Sequence, residues 1–250
     1  MKQMHFKPNP FYLFMKNIIV LALMFVAGLN ATAQNIEEFY KEVDSFLGKH
    51  VKNGKVDYAS IKKDPSQLNN LIEQTSSIVI SKSNAAEYQA FWVNSYNLHV
   101  IDGLVKNYPI KSPLDSKGFF DTQKRAVSGE KLTLNDIENN KLRAQFHDAR
   151  FHFVLVCGAQ GCPPLISTSY KPATLEMQLD TQTKKSINNP AFVVVNGDKL
   201  AVSQIFEWYK VDFNTKGSTT VSFINSYLKK PVGEKAKLSY YNYNWSINKQ

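Results

Sequence analysis

The chain has 250 residues, 43% of them hydrophobic, a formal net charge of +9 and only two cysteines. That hydrophobic share suits a chain that buries a core and argues against a disordered polymer, and two cysteines are too few for a disulfide-dense scaffold. The basic surplus is spread along the chain without a basic block or an aromatic-basic stripe, so it reads as a lysine-rich solvated surface, and nucleic acid is not an expected partner.

The opening MKQMHFKPNPFYLFMKNIIVLALMFVAGLNATAQN sets Lys2, Lys7 and Lys16 ahead of an apolar run from Ile18 to Leu29, followed by Ala31-Thr32-Ala33. This layout predicts a secretory signal peptide over 1–33, cut before Gln34, with 34–250 as a single globular domain. The run is shorter than the roughly 20 apolar residues that span a bilayer, so no stable membrane span is expected after signal removal. An uncleaved N-terminal anchor is the alternative, and the lack of a cysteine beside the cut argues against a lipoprotein. Loss of the leader lowers the excess of base from nine to six. The product is expected to be exported, periplasmic or secreted, and monomeric.

Helical spacing of Ile36, Phe39, Tyr40, Val43, Phe46 and Leu47 predicts a first helix over 35–49. Asp64 and Pro65 open a second, with Leu68, Leu71, Ile72 and Thr75 on one face. A third runs from a cap at Asn84 to the stop at Asn107-Tyr108-Pro109. One of its faces carries Ala90, Asn94, Asn97, Ile101 and Leu104, so two asparagines fall on a stripe expected to be buried. A buried amide without partners costs about 1 to 3 kcal/mol, so these side chains must hold backbone, water or a ligand. His99 lies off that stripe and is expected at the surface or rim.

Thr133 followed by Asp136 forms a capping box for the next helix, which turns Glu138 toward the inside. An inward glutamate calls for an arginine, and the nearest are Arg143 and Arg150, two of the three arginines in the chain (Arg125 is the third). Phe151 to Cys157 is apolar and rich in aromatic and β-branched residues, which predicts a strand covered on both faces. Pro172 opens a helix through Ile187; FVVVNGDKLAV reads as a hairpin turning at Asn196-Gly197; short helices follow at QIFEWYKV, capped by Ser203, and TVSFINSYL. KLSYYNYNWSI alternates and predicts a terminal strand. Together these elements predict an α+β fold, a helical first half packed on a small mixed sheet with further helices.

His147, His152, Cys157 and Cys162 recur every five residues, which invites a zinc reading. On a strand, residues five apart lie roughly 16 Å apart on opposite faces, so His152 and Cys157 would share neither a metal nor a direct dyad; neither metal nor other cofactor is expected. Cys157 at a strand end, followed by Gly158 and Gly161, has the placement of a nucleophile beside amide donors. A Cys157–Cys162 disulfide is the competing reading for an exported chain, and disulfide exchange is a third, lacking the C-x-x-C spacing. A base for Cys157 would come from His147, His99, His50 or Glu138.

The segments FWVNSYNLHVIDGL, LTLNDIENNKLR, DARFHFVLVCGAQGCPPL and IFEWYKVDF, in this order and spacing, resemble the domain of unknown function 547 family, with a core of about 84–228. The resemblance implies a family of exported bacterial, plant and animal proteins without an established reaction. It carries family positions onto Asn94, Tyr96, Asn97, Glu138, Leu142, Arg143, Arg150, His152, Cys157, Pro163, Tyr209, Asp212 and Phe213. Plant members resemble the chain at Cys157 and commonly have serine where Cys162 stands, which implies a shared role for Cys157 rather than an obligatory disulfide. The expectation is a thiol-dependent hydrolase or acyl transferase: Cys157 attacks, His152 or Glu138 handles protons, and Asn94, Tyr96, Asn97, Arg143, Arg150, Tyr209 and Asp212 bind substrate or support the site. The alternative is a non-enzymatic envelope binding or structural domain with the two cysteines bridged. In either case the partner is an unidentified small molecule or envelope component.

Overall fold

The structure, a computed structural model, describes residues 36–215 and 217–250. The signal peptide expected over 1–33 lies outside them. Two compact units divide the chain, residues 1–39 and Tyr40–Gln250. Of the first only 36–39 are described, as part of helix α1 over residues 36–50.

The second unit is α+β. Its first half is helical: α2 (Tyr58–Lys63), α3 (Ser66–Ser77) and α4 (Ala85–Asn107), with a two-residue hairpin of β1 (Val51–Lys52) and β2 (Lys55–Val56) ahead of them. Asn84 caps α4 by accepting from the Glu87 amide at 3.2 Å. Every residue of α4 from Tyr88 to Val105 is buried, because α2, α3 and the segment after β4 pack around it. A helix enclosed on all sides has no surface stripe. His99 is therefore not at the rim as expected but 1% exposed, with Nε2 3.0 Å from Thr75 Oγ1. Burial, then the charges of Arg125 and Lys106, push it down to about 3, so it is neutral.

A second hairpin, β3 (Arg125–Val127) and β4 (Glu130–Leu132), leads to Thr133. The capping box expected there forms: Thr133 Oγ1 accepts from the Asp136 amide at 3.0 Å and Asp136 Oδ2 accepts from the Thr133 amide at 2.9 Å. One turn of α5 (Leu134–Asp136) passes into a π-helical segment, Ile137–Arg143, and then α6 (Ala144–Phe146). In the second half, α7 (Leu175–Ile187) packs on the turn Ala149–Phe153. Strands β5 (Val193–Asn196), β6 (Lys199–Ser203) and β7 (Lys237–Tyr241) form one mixed sheet, β5 antiparallel and β7 parallel to β6. Between β6 and β7 lie α8 (Ile205–Trp208), α9 (Lys210–Phe213) and α10 (Thr220–Asn225). Phe153, Phe192, Leu200, Phe206, Phe213 and Ile224 make the core of this half.

Three local expectations change. The hairpin turns at Gly197-Asp198, since Asn196 pairs with Lys199 and only Gly197 takes a positive φ. The terminal strand stops at Tyr241, and Tyr243 and Trp245 leave the sheet. Residues 151–157 are not a strand: Ala149–Phe153 is a 3-10 turn whose start is capped by Asp148, accepting from the Arg150 amide at 2.9 Å. Val154 to Cys157 then runs on without a sheet partner. Asn97 takes the partner's place, donating to the Val154 carbonyl and accepting from the Val156 amide, each at 2.9 Å.

The glycine loop after Cys157 is strapped by the end of the chain. Gln160 N–H donates to the Ser246 carbonyl at 2.7 Å, Gly161 N–H to that of Asn244 at 2.8 Å, and Asn248 N–H to that of Gly158 at 2.9 Å. Gly158 has φ +82°, and a Cβ there would sit 2.3 Å from Leu104 Cδ1. Gly158→Ala is therefore expected to destabilise the fold by about 2 kcal/mol, from a left-handed alanine and a methyl forced into a packed side chain. Urea unfolding measures this, and an unchanged midpoint would refute it.

Candidate functional site

A cleft of about 340 Å³ opens between α4, the π-helical segment, the Cys157 loop, α8 and the end of the chain. His152, Cys157, Glu138, Tyr96 and Tyr209 all line it. His152 and Cys157 reach the same cleft because a 3-10 turn, and not a pleat, separates them; alternation does not apply.

His152 is 4% exposed. Its Nε2 lies 2.7 Å from Asp212 Oδ2, and the same oxygen accepts from Arg143 Nε at 2.6 Å. Burial alone would raise the Asp212 carboxyl, but hydrogen bonds from His152 and Arg143, with their charges, hold it well below the usual carboxylate range. An ionised Asp212 only accepts, so the His152 tautomer carries its proton on Nε2. Nδ1 has no hydrogen bond among the described residues and is not sealed off. Tyr209 braces the arrangement: its ring stacks on His152 at 3.9 Å and lies 4.7 Å under the Arg143 guanidinium, which also bonds Asn139.

Glu138 stands inside the π-helical segment, 7% exposed. Such segments re-aim side chains within a helix. Among the described residues it makes no ion pair, and the Tyr209 hydroxyl is its hydrogen-bonding neighbour. Burial first, then the Glu138 charge, push the Tyr96 and Tyr209 hydroxyls up; for Tyr243, burial leads, followed by Tyr209 and Glu138. All three stay protonated.

Cys157 and Cys162 form a disulfide, with Cα atoms 6.2 Å apart. Cys162 is 6% exposed, whereas Cys157 is partly open to the cleft. The Cys157 amide points at Cys162 Sγ at 3.0 Å, and the Tyr243 hydroxyl lies 3.1 Å from each sulfur. Among the described residues no group of three or more His, Cys, Asp and Glu side chains is placed to hold a metal ion.

The other residues singled out from sequence stand further off. Asn97 shapes the segment before Cys157, as above. Asn94 donates to the Ala90 and Tyr170 carbonyls, both at 2.8 Å, and accepts from the Tyr170 amide at 3.0 Å. Arg150 pairs with Asp148 at 2.6 Å and Glu176 at 2.8 Å, outside the cleft. His50 and His99 are buried elsewhere, and His147 lines a separate cavity. Sequence reasoning missed Phe120, Trp208, Tyr243 and Trp245, which wall the cleft with aromatic rings; the aromatic tail YYNYNW was the available signal.

Residues 80–187, which contain Glu138, His152 and both cysteines, match the family described as protein of unknown function, DUF547. Residues 80–187 are therefore a DUF547 segment of the chain. Neither a curated protein nor a solved structure matches the chain. The DUF547 segment does not include Tyr209, Asp212, Tyr243 or Trp245, so the chain beyond residue 187 completes the cleft.

Proposed function

We propose that this DUF547 protein is an exported thiol-dependent hydrolase or acyl transferase whose nucleophile is Cys157. The observation that supports this most is the hydrogen bond from His152 to Asp212, with His152 lining the same cleft as Cys157. It supplies an oriented base whose other nitrogen, Nδ1, makes no hydrogen bond among the described residues. In the oxidised chain the thiol is masked, so an external dithiol first delivers two electrons and two protons to the bridge. Cys157 then gives its proton to His152 and attacks an acyl carbon. The Tyr243 hydroxyl stands ready to donate to the oxyanion, and His152 returns the proton to the leaving group. Water or an acceptor resolves the thioester. An exported location agrees with a stable disulfide, since oxidising compartments preserve such bridges.

The bridge itself favours a second reading, an envelope binding or structural domain in which the cysteines only staple the glycine loop. Iodoacetamide labelling of the reduced protein, read by mass spectrometry, separates the two. The enzyme reading expects Cys157 to react at least about tenfold faster than Cys162, and His152→Ala to abolish the difference. Equal, slow labelling of both thiols in the reduced wild type removes the enzyme reading in favour of the staple.

A further inference from the structure

We infer that the cleft holds a ligand by a cationic head, an alkylammonium or quaternary ammonium group, seated between the Glu138 carboxylate and the rings of Trp208, Tyr243 and Trp245. Three observations carry this. First, Glu138 is more than nine-tenths buried, faces the cleft and has no ion-pair partner among the described residues. Arg143, the neighbouring cation, is committed to Asp212 at 2.6 Å and to Asn139. A buried acid served by one tyrosine hydroxyl leaves most of its acceptor capacity unused.

Second, the charges about the cleft do not balance. Arg143 is already neutralised by Asp212, and only a protonated His152 would add a second cation, so with His152 neutral the Glu138 charge stands uncompensated. A bound cation restores neutrality, whereas an anionic ligand would face the Glu138 carboxylate on the cleft wall.

Third, the three rings pack on one another in the cleft wall and do not form a flat platform. The Tyr243 plane is tilted 54° to Trp208 and 56° to Trp245, with centroids 5.1 and 4.8 Å away, while the two indoles lie near parallel at 26°. Aromatic rings on the cleft wall beside a buried acid offer negative quadrupole faces to an ammonium group. A neutral sugar, the other ligand that favours aromatic walls, can donate hydroxyls to Glu138 but leaves its charge uncompensated.

Calling this ligand the substrate rests on the reaction proposed above, but its binding does not. Calorimetric titration therefore uses the full oxidised chain, in which the bridge precludes thiol chemistry. The probes are choline, n-butylammonium, the neutral choline isostere 3,3-dimethyl-1-butanol, and methyl glucoside. Choline or n-butylammonium is expected to bind at least about tenfold more tightly than the neutral isostere, with Glu138→Gln and Trp245→Ala each weakening it by about tenfold. Glu234→Gln, at an exposed site far along the chain, should leave affinity unchanged. Equal affinity for choline and its isostere, preferential binding of the glucoside, or Glu138→Gln binding like wild type would each overturn the assignment. If Glu138→Gln does not fold, the charged-against-neutral comparison on the wild type still decides. Failure of Cys157 labelling with intact choline binding would remove the reaction and leave the site.

Discussion

Replacing Asn97 by alanine is expected to destabilise the protein by about 4 kcal/mol, and to do so by releasing the segment that delivers Cys157. Asn97 is 4% exposed and serves two backbone groups of a chain that has no strand beside it, the Val154 carbonyl and the Val156 amide. Both valines are buried, so water cannot take over, and each orphaned group costs about 1 to 3 kcal/mol. The loss is local before it is global. Hydrogen exchange at the Val156 amide should accelerate in Asn97→Ala well beyond what the drop in the urea midpoint accounts for. Asn94→Ala is the matched control: it frees the Tyr170 amide instead, and should expose that position while leaving Val156 protected. Unaltered Val156 exchange in Asn97→Ala would show that some other contact holds the segment.

The two asparagines also mark where sequence reasoning succeeds and where it stops. Their burial follows from the spacing along α4, and the need for partners follows from burial. Caps and stops are encoded within a few residues, which is why Asn84, the Thr133–Asp136 box and the end of α4 at Asn107 were legible. The segment 151–157 was not, because an apolar run of aromatic and β-branched residues satisfies a strand pattern equally well. What decides is whether a neighbouring strand or a distant side chain satisfies its backbone, and here Asn97 does so from 57 residues away. His99 was misplaced for a related reason: the stripe argument assumes one solvent face, and α4 has none. Of the site, Glu138, His152 and Cys157 could be singled out as chemistry-bearing groups. The cleft that unites them also depends on Asp212, which the family resemblance supplied, and on Tyr243 and Trp245, brought in from beyond the sheet, which no local spacing encodes.

Asp212→Ala should cost about 3 kcal/mol, and its dependence on pH should identify the carboxylate charge as the cause. The substitution strips Arg143 Nε and His152 Nε2 of one shared acceptor, in a triad where the side chain of His152 is 2% exposed and those of Asp212 and Arg143 about a fifth. Removing one member of a fully buried pair costs about 3 to 5 kcal/mol, so partial exposure puts this one at the lower end. Asp212→Asn keeps the shape and one acceptor but not the charge, and isolates the electrostatic part. The groups facing Asp212 are Arg143 and His152, with Tyr209 between them and Glu138 behind. The folded carboxyl is held below its unfolded value near 3.9, so its contribution is complete above about pH 4 and declines as the pH falls below that. The urea midpoint of the wild type should therefore exceed that of Asp212→Asn at pH 5, below the usual histidine range, and the margin should shrink from pH 4 toward pH 3. A margin that instead grew between pH 4 and 3 would mean that Asp212 is not ionised in the folded protein. The same variant bears on the chemistry, since an amide can face Nε2 with its oxygen or its NH2 and no longer fixes the His152 proton there. Labelling of reduced Cys157 should then slow by about tenfold even where Asp212→Asn is fully folded, a loss that a purely structural ion pair would not produce.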